Sequence, residues 1–179
     1  MKGAIFIALS EMINENYGMD TWFELLDAAG LDGAYTSADT YPDEEALKLV
    51  EVTAAKLELS VEQTLRAFGE YLFTFLHASF PMFADSQNTF FDFIKSIESV
   101  IHVEVRKVDS EAITPSILVV ESDADTALVA YQSERKLCHL AEGLLTGAAL
   151  HYGIRIKLEQ TACMHDGAEE CMIKIHRKA

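Results

Sequence analysis

Three observations predict an α+β domain for this 179-residue chain. Apolar residues recur at helical spacing through the first two-thirds, the period turns strand-like after Pro115, and the last third reads as strand, strand, helix, strand, strand. The expected architecture is a helical N-terminal part packed with a four-stranded antiparallel sheet from the ββαββ C-terminal part. Residues 1–179 are expected to form one domain, long enough to bury a substantial core.

Each element has its own signal. Thr21-x-x-Glu24 suggests a capping box ahead of the apolar stripe Leu25, Leu26 and Ala29, with Gly30 as the stop. Pro42 followed by Asp43, Glu44 and Glu45 opens a second helix, because proline and acids both suit a first turn. Ser60-x-x-Gln63 caps a third, which carries Leu65, Phe68, Leu72 and Leu76 on one face. Thr89 starts the longest, with Phe90, Ile94, Ile97, Ile101 and Val105 as one stripe. Residues 117–121 and 126–131 are β-rich, and 122–125 read as the turn between them. A helix over 134–152 closes at Gly153. Ile154, Ile156 and Leu158 then alternate with charged residues, and Asp166-Gly167 turns the chain into a last strand over 171–176.

Composition excludes several classes. Half the chain is hydrophobic, which argues against disorder, and no apolar run approaches the roughly 20 residues of a membrane span. The residue 4–9 stretch lacks a cleavage site and makes a poor signal peptide, so a cytoplasmic location is expected. A net charge of −15 opposes nucleic acid and leaves room for a partner with a basic patch. There is no nucleophile–base constellation or phosphate loop, and a non-enzyme is expected.

Tyr131-Gln132-Ser133-Glu134-Arg135 carries the most chemistry. On a strand, residues i, i+2 and i+4 share a face, so a phenol, a hydroxyl and a guanidinium would point one way. Arg135 offers a planar fork suited to carboxylates. Of the six histidines, His77, His139, His151 and His176 have charged, turn-like or helix-end neighbours and read as surface residues. His165 lies in the loop between Cys163 and Cys171. His102 borders the stripe of Ile97, Ile101 and Val105, where a neutral imidazole serves either as a metal ligand or as a hydrogen-bonded core residue. A histidine-bound metal beside two carboxylates describes the iron and propionates of a haem.

These residues belong to a wider pattern. Met1-Lys2-Gly3, Thr21-Trp22, Tyr41-Pro42-Asp43-Glu44 and Phe68-Gly69-Glu70-Tyr71 come first. Ile101-His102-Val103-Glu104-Val105, the Tyr131 cluster and Leu140-Ala141-Glu142-Gly143-Leu144 follow. In this order and spacing the chain resembles the bacterial H-NOX family, the haem-nitric oxide/oxygen binding domains, over essentially its whole length. The resemblance implies haem b between the helical and sheet parts, with His102 as the proximal iron ligand. It implies Tyr131, Ser133 and Arg135 on the propionates, Pro115 against the macrocycle, and Ile5 and Leu144 as pocket walls. From the residues alone, Pro115 is equally a rigid stop before the first strand, and Ile5 and Leu144 are ordinary core residues.

Oxygen-binding relatives carry a distal tyrosine about one turn beyond Tyr-x-Ser-x-Arg. Here that stretch offers Leu137 and Leu140, and the corresponding N-terminal tryptophan position is Leu9. The resemblance therefore implies nitric oxide as the ligand. Binding to five-coordinate ferrous haem would weaken or break the iron–His102 bond and let the His102 helix shift. The chain carries no kinase or cyclase segment, so the expected output is regulation in trans of a sensor histidine kinase or a diguanylate cyclase.

Cys138, Cys163 and Cys171 are an odd number in a compartment that disfavours structural disulfides. Relatives carry zinc at matching cysteines, with a histidine three residues before the one matching Cys163. Here Gln160 stands at that place, leaving Gln160 or His165 as the fourth ligand. The alternatives are a thiol redox sensor that forms a disulfide, or three cysteines packed as small hydrophobes. A haem-free ligand-binding module is the remaining rival.

Overall fold

The computed structural model describes residues 1–110 and 112–178. The helical part comprises α1 (Gly3–Tyr17), α2 (Met19–Ala29), α3 (Asp43–Lys56), α4 (Val61–Ser79), the single turn α5 (Met82–Asp85), α6 (Phe90–Ser96) and α7 (His102–Val108). The sheet part follows as β1 (Ser116–Ser122), β2 (Thr126–Gln132), α8 (Cys138–His151), β3 (Ile156–Ala162) and β4 (Cys171–Arg177). The strands are antiparallel throughout in the order β1-β2-β4-β3. The predicted α+β class and ββαββ order are observed.

Most helix ends follow the local chemistry. Ser60 Oγ accepts from the Gln63 N–H and the Gln63 side chain accepts from the Ser60 N–H, which completes the capping box. Thr89 Oγ1 accepts from the Asp92 N–H, and Gly30 ends α2 in the left-handed region. Thr21 departs from expectation. Gly18 separates α1 from α2 at φ 87°, so Thr21 falls inside α2 and its hydroxyl donates to the Tyr17 carbonyl.

Two further departures concern the site. The helix expected from Thr89 through Val105 is interrupted by a π-turn over Ile97–Ile101, in which the His102 N–H bonds to the Ile97 carbonyl. One extra residue rotates everything after it by about 100°, and Val105 accordingly leaves the buried face. The helix expected from residue 134 begins at Cys138 instead. The Lys136 N–H bonds to the Ser133 carbonyl, and Lys136 adopts a left-handed φ of 50°, so 133–136 form a turn.

Two hydrophobic clusters form the core of the described residues. One joins Phe90, Ile94 and Leu145 to Val129, Ile173 and Ile175 of the sheet. The other gathers Phe6, Ile13, Leu25, Leu49 and Leu72 among α1–α4, and Leu144 touches both. Helices α4 and α8 hold the two parts together. They run in the same direction, and a Cβ on Gly69 would lie 2.3 Å from the Leu140 carbonyl oxygen. A Cβ on Gly143 would lie 2.2 Å from that of Arg66, so only glycines permit this approach. The Arg66 guanidinium reaches the buried Glu142 carboxylate at 2.7 Å across the same contact. Gly143→Ala is therefore expected to cost about 1–3 kcal/mol. Thermal denaturation followed by circular dichroism should show the midpoint falling by roughly 2–4 °C per kcal/mol, and an unchanged midpoint would refute the close contact.

Candidate functional site

The π-turn sets the position of His102. Its imidazole is mostly buried, with 12% of the side chain exposed, and Nδ1 lies 2.9 Å from Glu98 Oε2. An ionised carboxylate only accepts, so Nδ1 carries the proton and, in the neutral ring, Nε2 presents its lone pair. Among the described residues no group hydrogen-bonds that Nε2. Glu98 also accepts from the Ile117 N–H at 3.3 Å and from Arg106 Nη2 at 3.3 Å. Burial pushes the Glu98 carboxyl up, but the hydrogen bonds from His102 and Ile117, with the charge around them, outweigh it and hold it low. Sequence reading missed Glu98, although its place four residues before His102 was a usable signal.

Tyr131 ends a buried stretch of β2, whereas Ser133 and Arg135 lie beyond the strand. The expected single strand face therefore holds only as far as Gln132, and the following turn places the other two. Burial pushes the Tyr131 phenol up to about 12, opposed by the Ser133 hydroxyl and Leu137 N–H beside it. Ser133 Oγ accepts from the Arg135 N–H at 3.2 Å. Arg135 Nε donates to Asp43 Oδ2 at 2.6 Å and Nη1 to the Ile113 carbonyl at 2.8 Å. Asp43 also lies 2.7 Å from the Met1 amino group. Burial pushes the Asp43 carboxyl up, but Arg135 and that amino group more than reverse the effect. Sequence reading gave Asp43 a place in a helix start and a motif but missed its bond to Arg135.

Pro115 lies between these two sets of bonds. The Ile113 carbonyl is held by Arg135, the Thr114 hydroxyl by Arg106 Nη1 at 2.6 Å, and the Ile117 N–H by Glu98. The segment carrying Pro115 therefore joins the carboxylate behind His102 to the guanidinium after β2.

An apolar cavity of about 20 Å³ opens among α1, α3, α4 and the start of α8. Ile5, Leu9, Phe68, Leu137 and Leu140 line it, none of which offers a side-chain hydrogen bond. The volume suffices for something the size of water, yet water needs polar partners that these walls lack. Leu144 does not line this cavity and instead packs where the two cores meet.

The three cysteines converge and are all buried. Cys138 opens α8, Cys163 follows β3 and Cys171 begins β4, with Cys163 Sγ 4.0 Å from Cys138 Sγ and 3.9 Å from Cys171 Sγ. Burial pushes the Cys138 thiol up to about 12 and raises that of Cys171. Of the two fourth-ligand choices, the Gln160 side chain faces the Cys138 sulfur, and its Nε2 is buried without a partner in hydrogen-bonding geometry among the described residues. His165 Nε2 lies 2.9 Å from the Lys136 carbonyl.

The family described as Haem-NO-binding (HNOB) matches residues 2–160. An H-NOX protein from S. oneidensis in the Fe(II)NO ligation state is 36% identical, with a TM-score of 0.93 and complete coverage of both chains. The Fe(II) unliganded H-NOX protein from K. algicida is 27% identical at a TM-score of 0.90, over 100% of this chain and 97% of that one. Soluble guanylate cyclase 89Db from Drosophila melanogaster is 25% identical over 139 residues, or 75% of this chain. The chain spans about a fifth to a quarter of the length of the curated relatives it matches. The chain belongs to the Haem-NO-binding, or H-NOX, family, whose domains are haem-based gas sensors that regulate signalling proteins and are not enzymes.

Proposed function

We propose that this chain, a single domain over residues 1–179, is a cytoplasmic nitric oxide sensor that regulates a sensor histidine kinase or a diguanylate cyclase in trans. The observation that carries the reading is the mostly buried His102 imidazole, with Nδ1 tied to Glu98 and Nε2 without a hydrogen-bond partner among the described residues. That donor fits the iron of haem b, and haem supplies a metal centre with one position for the chain and one for a diatomic gas. His102 would hold the iron. Arg135, whose Nη2 is uncommitted among the described residues, would meet the propionates with Tyr131 and Ser133. Ile5, Leu144 and Pro115 would bound the ring.

The apolar lining supports the choice of gas. Bound oxygen carries partial negative charge and gains from a hydrogen-bond donor, whereas nitric oxide binds ferrous iron strongly without one. Leu9, Leu137 and Leu140 provide no such donor. Release of His102 would free the π-turn, and the Glu98–Ile117 and Arg106–Thr114 bonds would carry the change to β1 and Pro115. No helix among the described residues is long and apolar enough to cross a membrane.

Zinc at Cys138, Cys163 and Cys171 is the second part of the reading, supported by three sulfurs that lie within 4.8 Å of one another. Either Gln160 or His165 would complete the set. Metal analysis of protein purified without chelators should find one zinc per chain besides iron, lost in Cys163→Ser. Zinc-free protein would leave the thiols as redox-sensitive or merely packed groups.

Freshly purified protein should be coloured, and the reduced form should bind nitric oxide but form no stable oxygen complex in air. A stable oxygen complex would overturn the choice of gas, and a colourless protein the whole reading. His102→Ala should lose the five-coordinate ferrous spectrum. Glu98 adds an acid dependence. Its folded pKa is depressed, so its contribution to stability is complete above the ordinary carboxylate pKa of about 4.3 and disappears as pH falls through the lower folded value. Denaturant unfolding across pH 2–6 should therefore show a shallower acid limb in Glu98→Gln, and parallel curves would refute the assignment.

A further inference from the structure

His77, Asp85 and His151 form a cluster that neither the haem reading nor the three cysteines use. His77 lies in the last turn of α4, Asp85 ends α5, and His151 ends α8. Because α4 and α8 run in the same direction from Gly69 and Gly143, both histidines arrive at the end opposite Cys138. His77 Nε2 is 2.8 Å and His151 Nε2 3.4 Å from one oxygen, Asp85 Oδ1. The ring centroids are 4.3 Å apart, and one ligand atom from each of the three residues lies within 4.8 Å of the others.

The surroundings hold the cluster in place. His77 stacks on Phe73 at 6.0 Å with an interplanar angle of 6°, and His151 meets Tyr152 edge-on at 4.9 Å. The Tyr152 hydroxyl donates to the Ala84 carbonyl at 2.6 Å, which fixes α5 alongside α8. Each histidine side chain is 27% exposed, so the rings are supported from behind while Asp85 faces water.

We infer that His77, Asp85 and His151 bind a divalent transition-metal ion. Two imidazole nitrogens and one carboxylate oxygen suit zinc, cobalt, nickel or copper, and the nitrogen ligands disfavour magnesium and calcium. Ligand atoms about 2.0–2.2 Å from a tetrahedral ion lie roughly 3.3 Å apart. The two nitrogen–oxygen spacings, 2.8 and 3.4 Å, are close to that, and small side-chain rotations complete the set. Water fills the remaining position. Loading requires both Nε2 atoms to be deprotonated, which moves each ring proton to Nδ1. The ion joins the ends of α4, α5 and α8 and so stabilises the folded chain by mass action.

Zinc chloride titrated calorimetrically into the purified, haem-loaded full chain tests this, with unfolding midpoints recorded alongside. Metal that resists dialysis is measured first, so that any cysteine-bound ion is common to every variant. The wild type should take up one further zinc ion per chain with a rise in midpoint, whereas magnesium should do neither. His77→Ala, His151→Ala and the surface-conservative Asp85→Asn should each weaken that uptake at least ~10-fold and lose the midpoint rise. Wild-type uptake that all three variants share, or no further uptake at all, would reduce the cluster to a hydrogen-bonded trio and overturn the assignment.

Discussion

The backbone contact between α4 and α8 is the constraint on which the rest of the structure depends. Gly69 and Gly143 let the two helices approach until a single methyl group on either would collide with the other's carbonyl oxygen. Three of the features described above are arranged along that pair. Phe68 and Leu140 line the apolar cavity just before the contact, and Cys138 opens α8 within reach of the sheet cysteines. His77 and His151 occupy the far end. The helical half carries its own core and the sheet half another, and this contact joins them through Leu144.

Glu98 organises the other side of the site. One carboxylate fixes the tautomer of His102, accepts the first part of the β1 backbone through the Ile117 N–H, and faces Arg106. A histidine oriented this way is a better ligand than a free one, because the unprotonated nitrogen is already chosen and aimed. The π-turn beneath it is the kind of irregularity that recurs at functional positions in helices. Arg135 and Asp43 make the matching tie between the turn after β2 and the start of α3.

What the sequence disclosed was governed by locality. The Ser60–Gln63 box, the Thr89 cap and the Gly30 stop each depend on residues within one turn, and all three are present. The quoted motifs around Gly69 and Gly143 hid their reason, since a contact between residues 74 positions apart leaves no local trace. The π-turn was invisible for a related cause: one extra residue in a turn leaves an apolar stripe nearly unchanged on paper while turning Val105 outward. Thr21 misled because its spacing to Glu24 was right, but Gly18 had already set the start of α2. The position of Arg135 required knowing that Lys136 takes a left-handed conformation, which its side chain does not announce. The surface reading of His139 failed because Glu142, one turn on, is buried against Arg66 and draws it inward.

Gly69 stands near the middle of α4, and Gly143 near the middle of α8. Two rods touching at their midpoints and unable to slide retain one easy relative motion, a see-saw rocking about the point of touch. Each arm of α4 is then roughly 14 Å long at 1.5 Å per residue. A spreading of the rods at one end would return at the other as a closing of similar size, so the tips bearing His77 and His151 would act as a pointer for strain introduced near Leu65 and Leu137.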